Sequence, residues 1–211
     1  MMKVNKSEQG SITDITEYFY KLKETPRTGW KQKLEIRNTE SVASHTLLMI
    51  VLVFLYSEKY GFSCKKKVKL IEMALIHDLA ESITGDITPE TMNNTRKNKL
   101  ENEAFGKIID MLYTKSLKKR YLELWHEYQT KKSFESKCVH LLDKLEMVLQ
   151  ANYYLRNREE LTRENVEPFF QSGRSYSSHR PNSRLPKTSK KNIQDTEDLE
   201  DIKEILEYFS N

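Results

Sequence analysis

Apolar residues recur along this chain with the three-to-four-residue spacing of helix faces, and nowhere with the alternation of a half-buried strand bounded by hairpin turns. Ile15, Tyr18, Phe19 and Leu22 form one such face, with Thr13 or Asp14 placed to cap it. Pro26 and Gly29 interrupt the pattern, and the loop PRTGW sets Arg27 beside Trp30. A second helix opens near Thr39 or Ser41, carries His45 in its first two turns and runs through Tyr56, with Gly61 as its stop. After the basic segment 65–69 a central helix follows, with apolar residues at helical spacing over 71–76, and it delivers His77, Asp78 and Glu81 before Gly85 ends it. A polar loop around Pro89 separates it from helices expected at about 99–112, 117–128 and 136–156. No internal repeat is present. The expected fold is all-α.

Past residue 168 the composition changes. From Pro168 to Gln194 there is no acidic residue, while Arg174, Arg180, Arg184, Lys187, Lys190 and Lys191 are basic and Ser, Pro and Asn are common. Such a stretch reads as a disordered basic linker. Residues 195–211 turn acidic and place Leu199, Ile202, Ile205, Leu206 and Phe209 on one helical stripe, suited to docking on the domain or on a partner subunit. The expected organisation is a flexible N-terminus over 1–10, a helical domain over 11–167, a linker over 168–194 and an amphipathic helix over 195–211.

Composition narrows the setting. Hydrophobic residues make up 37% of the 211 and charged residues 31%, enough for one core under a heavily charged surface. A net charge of +4 is too mild to argue for nucleic-acid binding, the basic tail aside. Cys64 and Cys138 are too few for a disulfide framework and suit a reducing compartment. No signal-peptide pattern opens the chain, and the longest apolar run, 47–55, is about half a bilayer span. These features lead us to expect a cytoplasmic protein that does not enter a membrane.

Four residues sit where an apolar helix face would normally continue: His45, His77, Asp78 and Asp143. Each alone has a plain reading, a core histidine bonded to a carbonyl or a carboxylate paired with a lysine. Buried carboxylates are costly unless paired or bound to metal. Together the two imidazoles and two carboxylates make a mixed nitrogen and oxygen donor set, of the kind helical domains assemble from facing helices for Mn, Fe, Co, Ni or Zn. Glu81, one turn beyond His77, is placed to orient a water or take its proton.

The strings PRTGW, RNTESVASH, HDLAESITGDI and LLDKLEM, with the order H…HD…D, resemble the HD-domain metal-dependent phosphohydrolases, and within them the 5'-deoxynucleotidase branch, over roughly residues 15–157. The resemblance implies an all-helical, usually dimeric enzyme that removes phosphate from deoxynucleoside 5'-monophosphates with a divalent cation, Mn, Co, Mg, Fe, Ni or Zn. It implies His45, His77, Asp78 and Asp143 as metal ligands. Glu81 and Asp86 would be the catalytic acids, or would hold a second ion with the carbonyl of Ile87. Arg27 and Arg37 are candidates to clamp phosphate and Trp30 to stack on base or sugar, against the plainer reading of solvated arginines and a core tryptophan. The residue before the first histidine, often acidic in the family, is here Ser44, which removes a carboxylate from behind the ligands. Other enzymes of the same fold, acting on cyclic nucleotides or guanosine tetraphosphate, and a binding protein whose basic tail contacts RNA or acidic partners, are the rival readings. His126, His140 and His179 read as structural or exposed, and Trp125 as part of a packing face.

Overall fold

The computed structural model describes residues 6–178 and 190–211. Among the described residues, ten helices account for the regular structure: α1 (Lys6–Glu24), α2 (Thr28–Leu34), α3 (Val42–Lys59), α4 (Cys64–Ile76), α5 (Glu81–Thr84), α6 (Asn94–Ile109), α7 (Lys115–Thr130), α8 (Phe134–Asn157), α9 (Arg163–Ser178) and α10 (Lys190–Ser210). No strand occurs among the described residues, and one isolated antiparallel bridge joins Pro26 to Ser41. The chain divides into two compact units, one of Met1–Leu47 with Leu75–Glu127 and one of Leu48–Ala74 with Tyr128–Asn211.

In the first unit α5 packs against α1 and α6. Its core includes Leu22, Trp30, Leu34, Ile76, Leu79, Phe105, Ile108 and Trp125. Phe105 and Trp125 stack with centroids 4.3 Å apart, and the Trp125 indole donates to Asn102 at 2.6 Å, so Trp125 packs as its helical neighbours suggest. The helix expected at residue 99 starts at Asn94, because Asn93 caps it by accepting from the Arg96 amide. Gly29 and Trp30 belong to the short helix α2 instead of an open loop.

The second unit is built on α8, against which α9 and α10 both pack. The linker expected from residue 168 is helical through Ser178, with Pro168 inside α9. Its missing amide forfeits one backbone hydrogen bond, but Val166, Phe169, Phe170 and Gly173 form a buried face that runs straight across the compositional boundary. Burial of that face outweighs the lost bond. The rest of the expected linker, 179–189 with Arg180, Arg184, Lys187 and His179, lies outside the described residues. α10 begins at Lys190 and buries Leu199, Ile202 and Leu206 within its own unit, so the acidic segment docks on this chain. Lys66 fixes its start: the ammonium bonds Asp195 at 2.7 Å and lies over the rings of Phe62 and Phe134 at 3.9 and 3.6 Å.

Cys64 and Cys138 are free thiols, and burial pushes that of Cys138 up to about 12. α3 is long and apolar enough to cross a membrane, with mean hydropathy 1.4, although its longest unbroken apolar run is short. Core helices of soluble proteins have the same composition, and length and hydropathy alone do not separate the two.

Candidate metal centre and active site

His45 lies in the first turn of α3, where its amide donates to the Ser41 carbonyl at 3.1 Å and the Ser44 amide donates to the Ser41 hydroxyl. The turn is thereby capped and the imidazole, 0% exposed, has one direction to point. His77 comes from the end of α4, and here the structure departs from the expected helix. α4 stops at Ile76, and the chain passes through tight turns in which Leu79 donates to Ile76, Glu81 to Asp78 and Ser82 to Leu79 at 3.0 to 3.2 Å. These are three-residue steps, tighter than an α-helix. His77 and Glu81 therefore do not share one face of a continuous helix. The tightening brings Asp78 against the two rings instead.

His45 Nε2 and His77 Nε2 lie 3.2 Å apart, and Asp78 Oδ2 is 3.1 Å from the second and 3.6 Å from the first. Donors at bond lengths of about 2.1 Å and tetrahedral or octahedral angles stand roughly 3.0 to 3.4 Å from one another. Of the three separations, drawn from segments 32 residues apart, two fall within that range and the third, 3.6 Å, lies just beyond it. The residues present fit a divalent cation.

Around this triangle the charges are unevenly matched. Burial would raise the Asp78 carboxyl, but His77 as charge and hydrogen-bond partner, then His45 and Arg27, hold it well below the usual carboxylate range. Arg27 Nη1 reaches Asp78 Oδ2 at 3.4 Å. Glu81 goes the other way. Burial, then the charges of Asp78 and Asp86, raise it well above an ordinary glutamate, while Arg27 and Lys97 offset part of the rise. Its Oε2 is buried with no hydrogen-bond partner, and its Oε1 lies 3.9 Å from the Lys97 ammonium. A carboxylate in that state is a stronger proton acceptor than an ordinary glutamate.

Asp86 follows Gly85, whose φ of +71° turns the chain out of α5 in a conformation glycine adopts without strain. Its Oδ2 accepts the Thr28 amide at 2.6 Å, tying this turn to the start of α2. The Ile87 carbonyl accepts Lys97 Nζ at 2.8 Å, and the same ammonium lies 3.4 Å from Glu101. Two of the three groups expected around a second ion, Glu81 and the Ile87 carbonyl, thus face a lysine, and an oxygen of the third, Asp86, accepts a backbone amide.

The expected substrate residues separate. Arg27 is within the site. Trp30 is 1% exposed and its indole donates to Glu40 Oε1 at 2.8 Å, so it anchors the core and its faces are not laid open to a base. Arg37 is exposed in the segment between α2 and α3. Asp143 is half-buried on α8, in the second unit, where its charge adds to the burial that pushes the Tyr176 hydroxyl up to about 12. His126 is exposed. His140, read from the sequence as structural or exposed, is buried, with its ring stacked on Tyr128 and Nε2 3.1 Å from the Tyr128 carbonyl oxygen.

Sequence reasoning missed Glu40, Lys97 and Glu101. Glu40 was detectable as an acid one turn before Ser44, the position where an acid was expected and absent. Lys97, four before Glu101 on α6, lay in a stretch that composition marks as loop, and Glu101 in the first turn of the helix expected from residue 99.

Residues 19–182 match the family model of the HD domain. The bovine protein named 5'-deoxynucleotidase HDDC2 is 37% identical over 134 residues, 63% of this chain, and the chain spans 62% of that protein's length. A Dictyostelium discoideum protein of the same name is 35% identical over 177 residues, covering 80% of this chain and 92% of its own. Among solved structures, a protein of Pyrococcus horikoshii superposes with a TM-score of 0.64 at 28% identity, over 92% of this chain and 99% of that one. The converging histidines and aspartate, the helical architecture and these matches lead to one statement of kinship: the chain belongs to the HD-domain family.

Proposed function

We propose that this protein is a metal-dependent phosphomonoesterase that hydrolyses deoxyribonucleoside 5'-monophosphates to deoxynucleoside and phosphate. The observation that carries the reading is the triangle of His45, His77 and Asp78, with the Arg27 guanidinium against it and the proton-accepting Glu81 beside it. The names of the related proteins support the substrate class. His45, His77 and Asp78 would hold the cation, Mn, Co, Mg, Fe, Ni or Zn, with Asp143 of α8 as the fourth ligand. Bound there, the cation supplies Lewis-acid polarisation of a phosphoryl oxygen and lowers the pKa of a water.

The chain's own groups do the rest. Arg27 offers N–H donors to the non-bridging phosphate oxygens and keeps Asp78 ionised from the other side. Glu81 accepts the proton of the attacking water, a role its raised pKa suits. Asp86, whose Oδ2 accepts the Thr28 amide, relays the proton taken up by Glu81 to the leaving 5' oxygen, so the proton lost by the water ends on the deoxynucleoside. Lys97 holds Glu81 and the Ile87 carbonyl in place, which favours a single-ion site. We place the protein in the cytoplasm as a homodimer, for which the exposed apolar residues Val51, Phe54 and Leu55 of α3 offer a surface to a second copy.

The test is a phosphate-release panel across deoxy- and ribonucleoside mono-, di- and triphosphates and cyclic nucleotides, with the metals supplied singly. Release from deoxynucleoside 5'-monophosphates above all others is expected. Turnover confined to cyclic or polyphosphate substrates overturns the assignment.

A further inference from the structure

Two members of the site and the Trp30 indole converge on a residue to which neither the motif nor the matches assign a role. Glu40 sits just before α3, its side chain 8% exposed. Its Oε1 accepts the Trp30 indole N–H at 2.8 Å and lies 4.0 Å from Arg27 Nε. Its backbone carbonyl accepts the Arg27 amide at 3.0 Å, beside the isolated bridge between Pro26 and Ser41. A carboxylate oxygen of Glu40 also lies within 4.8 Å of a ring nitrogen of His45. One buried acid is thus within reach of the arginine, the first histidine and the indole that pins α2.

We infer that Glu40 is a positioning residue: its carboxylate holds the Arg27 guanidinium by the Nε edge so that Nη1 faces the phosphate site and Asp78. An arginine between two carboxylates is fixed at both ends, and its side chain surrenders its rotamer freedom during folding instead of on binding substrate. Ser44 supplies no acid at the position before His45, and Glu40, four residues earlier, brings a carboxylate oxygen within 4.8 Å of a His45 ring nitrogen. A buried carboxylate is costly without partners, so its place here follows from what it holds. The inference rests on the reading of Arg27 as the phosphate-binding residue.

Glu40→Gln is the informative change, because the amide oxygen still accepts the Trp30 indole while the charge facing Arg27 is lost. Inorganic phosphate is titrated into the metal-loaded protein by calorimetry, and kcat and KM are measured, for Glu40→Gln, Arg27→Ala and the double variant. Glu40→Gln is expected to weaken phosphate binding and raise KM about tenfold, the size of one charge-assisted contact, with metal content and thermal midpoint unchanged. In the Arg27→Ala background the same substitution should change phosphate binding less than about twofold, since coupled residues are not additive. An equal loss in both backgrounds, or no loss in either, overturns the inference. A wild-type protein that binds phosphate but turns over no nucleotide overturns the proposed activity instead, and the phosphate cycle still decides the role of Glu40. A wild-type protein that binds no phosphate overturns the role of Glu40 as well.

Discussion

Gly173→Ala asks whether the segment after Pro168 is part of the packed protein or an appendage. A Cβ at Gly173 would meet the Ser210 hydroxyl at far less than contact distance, the Val148 Cγ2 at 2.7 Å and the Leu206 Cδ1 at 3.3 Å. In an isolated helix the substitution gains roughly 1 kcal/mol, because alanine loses less backbone entropy. Against that stands overpacking of a filled interior, about 1 to 3 kcal/mol. The Ser210 hydroxyl can swing aside only by giving up its 2.6 Å bond to the Leu206 carbonyl, about 1 kcal/mol more. Val148 is β-branched, fully buried on α8 and has no free rotamer to escape into. The balance is a loss of about 1 to 3 kcal/mol, or roughly 3 to 9 °C in Tm for a chain of this size. Thermal and urea melts of the two proteins read it directly. A variant that melts at or above the wild-type temperature would mean that α8, α9 and α10 do not approach this closely, and the packing described for the second unit would fall.

Asp78→Ala removes the oxygen that faces both imidazoles and Arg27; metal content by elemental analysis and phosphate release should both disappear, and turnover in the variant would contradict the site. Glu81→Gln should cost about 10² to 10⁴ in kcat with little change in KM. The same variant carries a stability signature in chelator. A glutamate whose folded pKa is raised destabilises the ionised protein, so the contribution of Glu81 to stability is fully present below the ordinary carboxylate pKa and is lost as pH rises through the folded value, and Glu81→Gln should remove that component. Parallel Tm-against-pH curves would contradict the burial of this charge. Lys66→Ala leaves Asp195 buried without its 2.7 Å partner and should cost about 3 kcal/mol, with faster hydrogen exchange along α10; a change under about 0.5 kcal/mol would contradict the clasp.

Periodicity carried most of the fold, because helix faces bury by spacing, and spacing is what a sequence displays. It failed where local chemistry competed with composition. Pro168 and the serines after it signalled a linker, yet Val166, Phe169, Phe170 and Gly173 keep helical spacing through the boundary, and burial prevailed over propensity. Asn93 moved the start of α6 five residues upstream of the expected one through a single cap. At the site, His45, His77 and Asp78 were legible because a polar residue on an apolar face stands out. Their geometry was not, since the tight turns after Ile76 depend on backbone bonds that no residue in the motif announces. Trp30 shows the limit most plainly: aromatic stacking and core anchoring use the same residue type, and only its burial beside Glu40 separates them.

X-ray absorption on the Co²⁺- or Mn²⁺-loaded protein tests the metal centre most directly. The spectrum should show two imidazole nitrogens at about 2.1 Å, completed by oxygen donors, with the imidazole scattering halved by His45→Ala. A coordination shell of oxygens alone, unaltered by loss of His45, would contradict the account.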